Sequence, residues 1–168
     1  RFTSFFPFSS TNGLEAGLNY LGRTDAQSNQ MQIIGLDLTA KWRQARIIKN
    51  LIQSEIWYRS ETDERDDKKE QTGLYFFNEY ATGQQTTFGY RLDVYKDLTK
   101  LNSITQKKIN NISYGAIIQS TYISSEFAKI RATVSHEFDR EEGKTLNKDT
   151  RFALQIFFII GSHPAHDF

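Results

Sequence analysis

The sequence predicts an all-β protein, an antiparallel transmembrane up-and-down β-barrel of at least eight strands. Three observations predict it. Apolar and polar residues alternate with period two in eight separate stretches, the mark of strands with two unlike faces. Seven of those stretches run nine to eleven residues, the length of a tilted strand crossing the hydrocarbon layer. Aromatic residues on the apolar parity gather toward stretch ends, as amphipathic rings do at the two surfaces of a bilayer.

The first stretch, Leu14 to Gly22, sets Leu14, Ala16, Leu18 and Tyr20 on one parity and Glu15 on the other. The second, Gln32 to Trp42, alternates Ile34, Leu36, Leu38 and Trp42 with Asp37 and Lys41. Ile52 to Ser60 sets Ile56 and Tyr58 against Glu55 and Arg59. Leu74 to Tyr80 is the least regular, because Tyr75 and Phe77 share the parity of Glu79 while Asn78 sits among apolar residues. Phe88 to Lys96 opposes Phe88, Tyr90, Leu92 and Val94 to Arg91 and Asp93. Ile112 to Tyr122 is uncharged on both parities, with Tyr114 and Tyr122 near its ends. Ala128 to Phe138 sets Ile130, Val134 and Phe138 against Lys129, Arg131 and Glu137, and Phe152 to Ile160 closes the series through Phe158. On the apolar parity only Lys96 carries a formal charge.

Average composition conceals this division. A chain of 168 residues, 38% hydrophobic and 24% charged, has the averages of a soluble domain. Its longest apolar run, Ile156 to Ile160, is far too short for a membrane helix. With 21 Lys and Arg against 20 Asp and Glu, there is no basic excess to draw nucleic acid. The absence of cysteine excludes disulfides, thiolate catalysis and cysteine metal sites. Arg1 at the start, with neither methionine nor signal peptide, is expected of a processed chain or a piece of a longer one.

Connections are expected to be long or strongly polar at one end of the sheet: Thr24 to Met31, Glu61 to Gly73, Asp97 to Asn111 and Asp139 to Arg151. At the other end Thr82 to Thr87 and Ser124 to Phe127 are short, and Gln44 to Leu51 is intermediate. The charged run Glu61 to Glu70 reads as a solvated loop. Periodicity alone allows a soluble lipocalin-like barrel with its apolar face inward, or a membrane barrel with that face outward. Aromatic girdles, stretch length and loop asymmetry favour the second. One girdle comprises Tyr20, Tyr58, Tyr114, Phe138 and Phe152, the other Trp42, Tyr80, Phe88, Tyr122 and Phe158.

The tail from Gln155 to Phe168 contains Gly161-Ser162-His163-Pro164-Ala165-His166-Asp167-Phe168. It resembles the end of a Gram-negative outer-membrane family, porin-like or zinc-regulated TonB-dependent receptor-like, that closes with Gly-Ala-His-Pro-Ala-His-Lys-Phe. Ser162 and Asp167 depart from that pattern. Ser125-Glu126-Phe127 with Ile130-Arg131, and Phe5-Phe6-Pro7-Phe8-Ser9 before Leu14-Glu15-Ala16-Gly17-Leu18, are similar too, so the likeness spans most of the chain. The resemblance implies the outer membrane of a Gram-negative bacterium and contact with its lipid and lipopolysaccharide. It also implies Phe168 as the signal read by the barrel-assembly machinery. Residues 1–168 would be one segment at the C-terminal part of a larger barrel: 1–13 the end of a preceding strand plus turn, 162–168 the C-terminal tail.

The charged parity supplies the candidate lumen lining: Glu15, Asp37, Lys41, Glu55, Arg59, Glu79, Arg91, Asp93, Lys129, Arg131 and Glu137. Cross-strand ion pairs that brace the barrel are the simplest expectation. A polar lining that passes small hydrophilic solutes is the functional one. His163, His166 and Asp167 are weak zinc candidates, because Pro164 breaks any helix that would align the histidines and two nitrogen ligands are too few. No metal or cofactor is expected. His136 has only generic partners, Ser120 or Ser135, so an enzyme is not expected either. The function expected is a porin-like channel or uptake protein. The alternatives are a plugged barrel acting through its extracellular loops and, third, a soluble carrier.

Overall fold

Nine strands, each antiparallel to its neighbours, build one sheet in the computed structural model, which describes residues 1–25, 29–44, 47–63, 67–99, 109–125 and 127–158. In chain order they are β1 (Phe2–Pro7), β2 (Gly13–Thr24), β3 (Gln30–Gln44), β4 (Ile47–Thr62), β5 (Lys68–Ala81), β6 (Thr86–Asp97), β7 (Asn111–Ser125), β8 (Ala128–Glu141) and β9 (Lys144–Phe158). The order in the sheet is the order in the chain. Such a meander needs only hairpin connections.

Seven of the alternating stretches lie within β2 to β8, the eighth runs along β9 as far as Phe158, with 159–160 outside the described residues, and the expected strand end before Pro7 is β1. Pro7 closes that strand, where a missing backbone donor does little harm. The strands are longer than the alternation implied. Asp139 to Arg151, expected as a long connection, is a hairpin that turns at Glu142 and Gly143. Both residues have positive φ, 50° and 79°, as a two-residue type I′ turn requires. The links Thr24 to Met31, Gln44 to Leu51 and Glu61 to Gly73 likewise shorten, to the residues 25–29, 45–46 and 63–67 between strands. Of the connections expected to be long, only that between β6 and β7 remains so. Strand pairing needs only backbone groups, so the polar ends of strands continue the ladder after the alternation stops.

The register brings one parity of every strand onto one face. Phe2, Leu18, Leu36, Ile56, Leu74, Val94, Tyr114 and Phe138 follow one another across eight strands. This apolar face is the exposed one: Leu36 is 56% exposed, whereas the Asp37 side chain behind it retains 13%. The polar face is the hollow one. Gln53, Phe77, Arg91, Gln119, Thr133 and Gln155, from six successive strands, line one open hollow of about 500 Å³. A single hollow shared by β4 to β9 requires the sheet to curl toward its polar face.

Curling crowds the inner face, and glycines relieve it. Side chains from neighbouring strands lie over the space a Cβ would take: Asp37 at Gly17 and Trp57 at Gly73. Register shifts are confined to strand ends, at Trp42/Arg43, Ile123/Ser125 and Asp139/Arg140. There extra residues do not disturb the central pairing. Among the described residues β1 and β9 are the two edges and do not pair, so the sheet is open where a closed barrel was expected.

Candidate functional site

The eleven candidate lining residues share the inner face. Their register is explicit: Asp37 stands opposite Glu55, Glu55 opposite Tyr75, Tyr75 opposite Asp93, Asp93 opposite Gly115, and Gly115 opposite Glu137. Glu137 then faces Asp149 on β9. One row across the sheet is therefore acidic, with like charges directly opposed at Asp37/Glu55 and Glu137/Asp149. Such opposition is unfavourable unless cations sit nearby. The next row supplies two of them, Arg91 and Arg151, and Arg1 supplies a third.

Among the described residues the inner-face ion pairs run mostly along single strands rather than between adjacent ones as expected. Arg91 donates from Nε and Nη2 to Asp93, two residues along β6, at 2.7 to 3.0 Å. Arg59 pairs with Glu61 at 2.8 Å and Arg151 with Asp149 at 2.5 Å, again two apart on one strand. Residues i and i+2 share a face at about 7 Å, so a long arginine spans the gap without help from register. Arg1 is the exception, reaching Asp37 at 2.8 Å and Glu15 at 3.2 Å. Asn19 Nδ2 donates to Asp37 at 2.6 Å, and Gln119 Nε2 donates to Glu79 at 3.0 Å across Gly89.

Aromatic residues also occupy this face, and the charged-face inventory missed them. Tyr75 lies under the Arg91 guanidinium, 4.3 Å from its ring centroid. Trp57 and Tyr95 approach to 6.0 Å across Gly73, and Phe157 lies beneath Lys129 and Arg131 at 4.9 and 5.5 Å. The signal was present in the sequence, since Trp57, Tyr95 and Phe157 fall on the charged parity, as Tyr75 and Phe77 visibly do. Arginine and lysine stacked on rings are held in place while keeping hydrogen-bonding edges toward the hollow.

The ten aromatics assigned to the girdles lie on the outer face. Trp42, Tyr80 and Phe88 sit on one row, Tyr20 and Tyr58 flank Ile34 on another, and Tyr114 stacks on Phe138 at 5.0 Å. Phe152, expected near a strand end, lies well inside β9, which begins at Lys144, and stands opposite Val134. His136 is also on the outer face, sharing a 2.8 Å hydrogen bond with Thr150 Oγ1. Ser135 is turned to the inner face, and Ser120 pairs with Ala132 rather than with His136. Phe168, His163, His166 and Asp167, with the rest of 162–168, lie outside the described residues.

Comparison with protein-family models, with curated proteins and with solved structures finds no match.

Proposed function

We propose that the chain is part of the wall of a transmembrane β-barrel in the outer membrane of a Gram-negative bacterium, and that the barrel passes small hydrophilic solutes as a porin-like channel or uptake protein. One observation carries the reading: through the central part of the strands the outward face is almost wholly apolar, and the eleven charged residues of the alternating stretches share the inner face. A soluble carrier barrel buries its apolar face around its ligand, whereas a membrane barrel presents that face to lipid. The outward aromatics near the strand ends suit the two bilayer surfaces. Charges of both signs, braced along the strands, suit a wetted lining. The resemblance of the tail and strand motifs to the porin-like family agrees with this reading, as do lipid, lipopolysaccharide and the assembly machinery as partners.

Planar-bilayer recording on the protein extracted from its membrane tests the proposal. Stepwise currents are expected. A folded, inserted protein without currents would overturn the pore and leave the plugged barrel that acts through its loops.

A further inference from the structure

The arginines of the inner face are not equivalent. Arg1, Arg59, Arg91 and Arg151 each hold a carboxylate within 3.2 Å. Arg131 holds none among the described residues. Its Nε donates to Oγ1 of Thr121, the buried residue opposite it in the register, at 3.1 Å. Its guanidinium also rests on the Phe157 ring. These two contacts orient the group and leave its terminal nitrogens as an unengaged fork on the wall of the hollow shared by β4 to β9. Such a planar fork matches a carboxylate and stays charged at any accessible pH.

The local charge is also unbalanced. Glu79, Arg91 and Arg131 line the hollow, Asp93 neutralises Arg91, and Lys129 shares the Phe157 ring with Arg131. Three cations therefore face two anions, an excess that one mobile monoanion would cancel. The remaining wall decides what that anion carries. Leu51, Tyr75, Phe77 and Ile117 line the same hollow, so rings and aliphatic chains stand beside the free fork. Inorganic ions and acetate would leave those groups facing water, whereas a flat apolar body covers them. Thr121, opposite Arg131, and Ile117, on the row of Phe77, are four residues apart on β7. That is about 14 Å along the strand, part of which the arginine side chain spans. An extended solute fits the gap better than a compact one.

We infer that the hollow binds monocarboxylates that carry a flat apolar body, with the carboxylate on Arg131 and the body against Leu51 and Phe77. This deepens the porin-like reading and rests on it.

Single-channel recording in potassium chloride, on the protein extracted from its membrane, tests the inference with cinnamate as the probe. Cinnamate is expected to interrupt the current in a saturable way, and acetate and the cinnamylammonium cation hardly at all. Arg131→Gln should raise the half-blocking concentration about tenfold or more, as loss of a charged hydrogen-bonded contact does, with Arg131→Lys intermediate. Phe77→Ala should raise it as well, which keeps the test open if an Arg131 variant does not fold. Equal block by acetate would overturn the apolar body, and equal block by the cation would overturn the anion site. Unchanged block in Arg131→Gln or in Phe77→Ala would overturn the assigned contacts. A channel that conducts chloride but ignores cinnamate would overturn this inference alone. Absence of any current in chloride would instead overturn the pore reading, and this inference with it.

Discussion

Replacing Leu92 by arginine separates a lipid-facing surface from a water-facing one. Leu92 lies on the outer face of β6, 50% exposed, opposite Phe76 and Ala116. Phe88 and Lys96 lie four residues to either side. At about 3.4 Å per residue the stretch spans about 27 Å along the strand. A tilt of about 40° projects this to about 21 Å, close to the ~25 Å apolar band of an outer-membrane barrel. In the proposed barrel Leu92 would sit about 10 Å from either end, near the midplane, where an arginine costs about 2–4 kcal/mol. In water the same exposed substitution would fall within about 0.5 kcal/mol of neutral. Guanidinium unfolding in lipid vesicles, followed by tryptophan emission, reads the difference. With a slope of about 4 kcal/mol per molar, the midpoint should fall by about 0.5 to 1 M. Tyr122→Arg, on the same face near the strand end, should cost only about 0–1 kcal/mol. An unchanged midpoint for Leu92→Arg, or folding of the parent without lipid or detergent, would refute the assignment of this face.

Three further outcomes follow from the inner face and the last hairpin. Gly73→Val should push the Trp57 ring from its seat, lower stability by about 1–3 kcal/mol and shift tryptophan emission; Gly83→Ala, with open space around it, should do neither. Arg91→Met removes both the Asp93 pair and the cation over Tyr75; because the pair is partly exposed the loss should be about 1 kcal/mol or less, while bilayer reversal potentials move toward cation preference. At the β8–β9 turn, Gly143→Val places a branched side chain at φ 79° and should cost about 1–2 kcal/mol, whereas Glu142→Asn should be neutral or slightly stabilising; thermal melts in detergent distinguish the two.

The centres of the strands were legible and their ends were not, for one physical reason. Between Phe88 and Lys96 the two faces meet different surroundings, so selection for each writes a period-two pattern. From Lys144 to Arg151 only Leu146 is apolar, the pattern vanishes, and a well-paired hairpin reads as a loop. Tyr75 and Phe77 were visible only as a break in the alternation. Register makes them intelligible, because Tyr75 lies beneath Arg91 and Phe77 lines the hollow between Gln53 and Arg91. The missing cross-strand ion pairs have the same origin. Sequence shows that Asp37 and Glu55 share a parity, but not that they stand opposite one another.

Parity of side chains along an extended backbone is local chemistry, so the sequence alone determined the all-β class, the number of central strands and the division of residues between two faces. Pairing register, the direction in which the sheet curls and the relation of β1 to β9 depend on contacts between residues distant in the chain. Only the tertiary structure decided that the charged face is the sheltered one and that nine strands leave two edges pointing the same way.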